Sequence, residues 1–122
     1  MGDLYLQYLC HRAGDYLLQN GWMANNKQLR SLLGWRAVLL HGLVYSCCFL
    51  WWPVMQGTLL QEWWRYSAIG VSHVLIDHYR IASLWAKFYN NDWTEPPVTP
   101  RWVMVEIDQT MHLIINYLCL SQ

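Results

Sequence analysis

Apolar residues fill four long stretches of the chain, and within each the polar residues fall in a row with helical spacing. From Leu4 to Gln19 the row is His11, Asp15 and Gln19, at i, i+4 and i+8, which stacks the three on one face. This predicts a helix over Leu4–Gln19, ended by Asn20-Gly21. Trp22–Arg30, with Asn25, Asn26 and Lys27, reads as a connector. A second helix is expected to begin near Ser31. Within it, Ala37–Met55 has only His41 and Ser46 conspicuously polar and approaches the ~20 residues that cross a bilayer. Pro53 and Gly57 are expected to break it. Leu59–Tyr89 predicts one long third helix, charged at both ends and apolar from Tyr66 to Ile76, with His73 and Asp77 in or just beyond that centre. Asn90–Pro100 holds three prolines and predicts an exposed loop. A fourth helix follows over Trp102–Leu120.

Composition moves this helical pattern towards a membrane. The 122 residues are 55% hydrophobic and 13% charged, against about 25% charged in soluble domains. The mean hydropathy of +0.07 is modest, but nine Trp and eight Tyr lower it while suiting membrane interfaces. Lys27, Arg30 and Arg36 flank the first connection, and Arg80, Lys87 and Arg101 the third. In an up-down-up-down bundle these share one face, which the positive-inside rule assigns to the cytoplasm. The expected architecture is therefore all-α, a polytopic transmembrane bundle of about four helices, forming one helical membrane domain over 1–122. Asp3 and the interrupted apolar run argue against a cleaved signal peptide. Zero net charge and the lack of a basic run exclude the electrostatic footprint of nucleic-acid binding. Cys10, Cys47, Cys48 and Cys119 show no C-x-x-C spacing and are expected to behave as small hydrophobes.

The polar rows carry the chemistry. His11 with Asp15, His73 with Asp77, and Asp108 with His112 are three His/Asp pairs at i, i+4, and the second helix adds His41. Ionised carboxylates and unpaired imidazoles in a low-dielectric bundle each cost a few kcal/mol or more. A divalent cation compensates them directly, and imidazole-carboxylate ligation suits zinc above all, or iron or manganese. The expected metal ligands are His11, Asp15, His41, His73, Asp77, Asp108 and His112, enough for one or two ions. Asp15, Asp77 and Asp108 are the candidate catalytic carboxylates, with Asp108 favoured as acid/base and the other two as ligands. A metal-free hydrogen-bond or proton-relay network is the alternative. Arg80 and Lys27 could hold an anionic group and, with Gln19, are the candidate substrate-binding residues; Gln19 and Asn116 continue the inward rows, and Tyr45 lies one turn beyond His41. His78 points about 100° away from Asp77 and is expected to be peripheral.

The segments H-R-A-G-D-Y-L-L-Q-N-G-W-M-A-N-N-K, L-L-H-G-L-V-Y, S-H-V-L-I-D-H-Y-R and I-D-Q-T-M-H-L-I-I-N-Y together resemble a family of small phage and bacterial membrane proteins, domain of unknown function 3307. Arg80 stands where many members are expected to have Lys. The resemblance implies a polytopic helical protein of phage or prophage origin in a bacterial inner (cytoplasmic) membrane. Its pattern is similar to membrane-embedded metal-dependent hydrolases with scattered His and Asp ligands. The functional expectation is such a hydrolase, with its site near the cytoplasmic side, acting on a lipid-linked or phosphate-bearing substrate. A non-enzymatic phage membrane factor for lysis, superinfection exclusion or host takeover, and a proton or metal-ion conduit, are the alternatives.

Overall fold

Asp3 starts the first helix, α1 (Leu4–Arg12), by accepting hydrogen bonds from the amides of Tyr5 and Leu6 at 2.8 and 3.3 Å. Such an N-cap contributes about 1 kcal/mol. Asn20 caps α2 (Gly21–Asn26) through the Met23 amide, and Ser31 caps α3 (Leu32–Gln56) through that of Gly34. The chain continues through α4 (Leu59–Tyr79), α5 (Ile81–Tyr89) and α6 (Arg101–Leu120). This computed structural model describes residues 3–94 and 98–121. Residues 1, 2 and 122 of the expected single domain, and 95–97 of the expected loop, lie outside them. Regular structure among the described residues is entirely helical.

α3 and α4 form an antiparallel hairpin, for Trp35 lies on His78 while Ser46 lies beside Gly70. Glycine permits the close approach. A Cβ on Gly70 would collide with the Ser46 hydroxyl and one on Gly42 with Val74, so the two backbones meet through small residues. α6 packs on α4, and α1 packs on both α3 and α6, completing a four-helix arrangement; α2 rests on α3 and α5 on α6. One end of the interior is apolar, built on Cys10, Tyr45, Phe49, Tyr66, Ile69 and Leu120. The other is polar, burying His11, Asp15, His41, His73, Asp77 and His112. Large apolar side chains on the outer faces, among them Leu17, Leu39, Leu43, Val71, Ile114 and Leu118, are exposed. Among the described residues α3 is the one helix long and apolar enough to cross a membrane, as the Ala37–Met55 pattern leads one to expect.

Four boundaries differ from the sequence pattern. The first helix is not a continuous α-helix to Gln19. Ala13–Leu17 widens into a π turn, closed by Leu18 N–H donating to the Ala13 carbonyl at 3.0 Å, an i→i+5 bond. The expected connector contains α2. Pro53 does not break α3, because it falls in the last turn, where the missing N–H removes a single bond; the stop is at Gly57, whose φ of +68° costs glycine no Cβ clash. The expected third helix divides at Arg80, which takes a left-handed φ of 53° while its N–H bonds the Asp77 carbonyl. That bend turns α5 away from α4 and onto α6.

Candidate functional site

The centre of the polar end is assembled by three elements. The π turn carries Asp15, α3 carries His41, and α4 carries His73 and Asp77, four residues apart on one face. His41 and His73 turn Nε2 towards each other at 2.9 Å. Asp15 Oδ1 lies 3.3 Å from the His41 nitrogen and 3.4 Å from that of His73, and Asp77 Oδ2 lies 3.3 Å from each. All four side chains are buried. Among the described residues Asp15 Oδ1 has no hydrogen-bond partner, nor do the Nδ1 atoms of His41 and His73. Two imidazole nitrogens at this distance either share one proton or present their lone pairs to a common cation. Asp15, His41 and His73 offer donor atoms close enough to share one divalent ion, and so do His73, Asp77 and His112.

Neighbouring side chains fix these orientations. The Tyr45 ring stacks on His73 at 3.7 Å with an 18° tilt. Asn116 donates to the Tyr45 oxygen (2.6 Å), which leaves the Tyr45 hydroxyl to donate to His11 Nδ1 (2.7 Å). With its proton on Nε2, His11 donates to Gln109 Oε1 (2.8 Å), and Gln109 Nε2 donates to Asp15 Oδ2 (3.1 Å). Every donor along this chain meets an acceptor, and the chain ends on a carboxylate. His11 is therefore not placed as a ligand: both ring nitrogens are engaged, and Asp15 Oδ2 is 3.7 Å from Nδ1. The π turn accounts for this, because it turns Asp15 towards α3 and α4 instead of stacking it squarely over His11.

His112 and Asp108 form an adjoining group. His112 Nε2 is buried, has no hydrogen-bond partner among the described residues, and lies 3.6 Å from both Asp77 Oδ1 and Asp108 Oδ2. The Asp108 side chain is 25% exposed on a cavity of about 630 Å³. Asp15 and Asp77 lie at its floor, with Lys27, Gln19, Arg80 and Arg101 around it. Lys27 Nζ reaches Asp77 Oδ2 at 2.7 Å, while the Lys27 carbonyl is 3.1 Å from His78 Nδ1. The adjacent Asp77 and His78 thus grip one lysine at both ends. Gln19 turns back on its own helix, donating to the Asp15 carbonyl at 3.2 Å. Near the rim, the Asp92 carboxylate accepts hydrogen bonds from the hydroxyl and amide of Thr99, the Thr94 hydroxyl and the Val98 amide. These bonds, those of Thr99 foremost, hold its carboxyl well below the usual carboxylate range.

Of the residues singled out from the pattern, Asp15, His41, His73 and Asp77 come together, His112 and Asp108 adjoin them, and Lys27, Arg80 and Gln19 line the opening. Gln109 is not among them, although it supports Asp15 directly; its one sequence signal is its place a turn before His112. Arg101, in the sequence pattern only a flanking charge, borders the cavity as well. His78 stays outside the cluster, as expected, yet is buried and holds Lys27.

The chain belongs to the family described as protein of unknown function (DUF3307), whose model matches residues 4–120. No curated protein and no solved structure matches it.

Proposed function

We propose that this family member is a membrane-embedded, metal-dependent hydrolase acting on a phosphate-bearing, lipid-linked substrate. The observation that carries the reading is the four-donor cluster of Asp15, His41, His73 and Asp77. The two histidine nitrogens lie 2.9 Å apart and each lies 3.3–3.4 Å from Asp15 Oδ1 and from Asp77 Oδ2, close to the donor–donor spacing of about 3.3 Å that follows for tetrahedral zinc with bonds of roughly 2.0–2.1 Å to nitrogen and oxygen. The orphaned Asp15 Oδ1 supports it, since a buried carboxylate oxygen without a donor is costly. Zinc suits this donor set best, and iron or manganese would also accept it.

The bundle is polytopic in this reading, with α1 and its π turn, α3, α4 and α6 crossing or entering the bilayer. Two features support that: the apolar outer faces, and an α3 whose best apolar stretch is only 33% buried, unlike the core helix of a soluble protein. α1, α4 and α6 are less apolar on average because each carries an inward polar row. Lys27, Arg30, Arg80, Lys87 and Arg101 then mark the cytoplasmic side of a bacterial inner membrane, and the cavity opens there. When bound, the ion lowers the pKa of a coordinated water towards neutrality. Asp108, partly exposed beside His112, is the carboxylate available to accept a proton from it. Arg80 and Arg101 offer guanidinium groups to the substrate phosphate. Gln109 keeps Asp15 turned towards the two histidines.

Metal analysis of the purified chain beside a His41→Ala/His73→Ala variant tests the reading, together with phosphate release from a lipid-linked phosphate in nanodiscs. At least one ion per chain in the wild type, lost from the variant along with chelator-sensitive phosphate release, is expected; a metal-free wild type overturns it. The Lys27–Asp77 ion pair favours a second reading, a metal-free network in which the ammonium alone neutralises Asp77 and the chain is a non-enzymatic membrane factor or a proton conduit. Lys27→Met separates the two. Without metal the variant should be less stable than the wild type in either case, but only in the hydrolase reading does added metal restore it.

A further inference from the structure

The three carboxylates at the polar end, Asp15, Asp77 and Asp108, are accompanied at hydrogen-bond distance by one ammonium, that of Lys27. The cluster thus carries two net negative charges, and a single divalent ion at the four-donor position balances them. That ion uses Asp77 Oδ2. It leaves unanswered why the other oxygen of the same carboxylate, Oδ1, should face His112 Nε2 at 3.6 Å, and why the same nitrogen should lie 3.6 Å from Asp108 Oδ2. His112 is 2% exposed and its Nε2 has no hydrogen-bond partner among the described residues. A buried imidazole nitrogen aimed between two carboxylate oxygens calls for a shared proton or a shared cation. At 3.6 Å both pairs are longer than the 2.7–3.2 Å of a good N–H···O bond. They equal the edge of a tetrahedron with bonds of about 2.2 Å, the upper end for a carboxylate-bound transition metal.

We infer that the centre holds a second divalent cation between Asp77 Oδ1, His112 Nε2 and Asp108 Oδ2, with the Asp77 carboxylate bridging the two ions. The inference rests on the hydrolase reading for the first ion, and it changes Asp108 from proton acceptor to ligand. A carboxylate bridging through its two oxygens holds ions at a spacing of about 3.5–4 Å, as in two-metal phosphoesterases. The second position is the more open one, because the Asp108 side chain is 25% exposed on the cavity, whereas His41 and His73 do not line it.

Charge then specifies when the second ion binds. Two divalent cations leave the cluster with two surplus positive charges in a low-dielectric interior, an unfavourable state until an anion of matching charge arrives. A phosphate monoester dianion supplies that charge, and Arg80 and Arg101 border its approach. The second ion and the phosphate are therefore coupled ligands, each tightening the other by the same factor. The substrate class this favours is a terminal phosphate monoester, whose dianion completes the balance; a phosphodiester carries one charge too few.

The test is a count of total metal per chain after dialysis of the purified full-length protein in nanodiscs against Mn2+, with and without inorganic phosphate, read also by electron paramagnetic resonance. The count is expected to double from one to two on adding phosphate, with loss of the isolated-Mn2+ signal through coupling of the pair. Asp108→Asn and His112→Gln preserve side-chain size, and in the same phosphate buffer each is expected to stay at one ion, which also controls for manganese phosphate complexes. A wild type that stays at one ion, or an Asp108→Asn variant that reaches two, overturns the second site and leaves the first reading standing. A wild type with no metal under either condition overturns the first reading as well. Circular dichroism of both variants confirms that a count of one comes from a folded bundle.

Discussion

The two ends of the bundle interior are made from the same helices and held by different forces. At the Phe49 end, Phe49, Ile69 and Leu120 are buried against Cys10, Tyr45 and Tyr66 by contacts that have no preferred direction and add up over area. At the His41 end, His11, Asp15, His41, His73 and Asp77 each face a defined polar atom at 2.7–3.4 Å, and removing one strands another in a medium that cannot solvate it. Tyr45 belongs to both, with its ring towards Phe49 and its hydroxyl on His11. The apolar end can thus lose atoms and keep the site, whereas the polar end can lose the site while the fold survives.

Substitutions can break or sharpen that division. The largest effect is expected from Phe49→Ala, which should destabilise the bundle by about 3 kcal/mol, measured by thermal unfolding in detergent, and leave the metal count of the folded fraction unchanged. His41→Ala should do the reverse, abolishing metal binding with a smaller change in unfolding. Equal loss of metal in both variants would erase the distinction. Gly14→Ala couples the two ends, because its Cβ would sit 2.6 Å from the Tyr45 ring and 3.2 Å from the Tyr45 Cα. Overpacking of this kind costs about 1–3 kcal/mol, and here it should push the π turn and Asp15 away from His41, weakening metal binding at least tenfold in a competition titration. Gln109→Leu removes a support of Asp15 without touching a donor atom of the four. Its expected effect is a 10- to 100-fold loss of metal affinity with little change in unfolding temperature.

The smallest effect concerns the loop. Asp92 has its carboxyl held below the ordinary value of about 3.9. Its contribution is therefore fully present above that value and lost as pH falls through the depressed native one. Protease cleavage of the loop after Asn90 should rise only below about pH 4 in the wild type, and already at neutral pH in Asp92→Ala.

Much of this arrangement is legible in the sequence because it follows from helical periodicity. His73 and Asp77 face inward together since residues four apart share a face, and His41 is conspicuous as one of two polar residues in an otherwise apolar run. What periodicity misses are the places where the helix departs from it. The π turn at Ala13–Leu17 has no residue signature of its own, and it separates Asp15 from the histidine four residues earlier. The left-handed Arg80 is unexpected because a non-glycine residue there is uncommon; it divides what reads as one helix and brings the Arg80 side chain to the cavity. Gln109 is hidden for another reason. Its role depends on a contact to α1 that no local pattern encodes.

Four donors, two imidazoles and two carboxylates, are proposed to surround one ion. X-ray absorption at the metal edge of the purified protein measures that shell directly. Two imidazole and two oxygen ligands at about 2.0–2.1 Å are expected, with one imidazole lost in His73→Gln and no change in His11→Gln beyond weaker occupancy. A shell of three or more imidazoles that loses one in His11→Gln would contradict it.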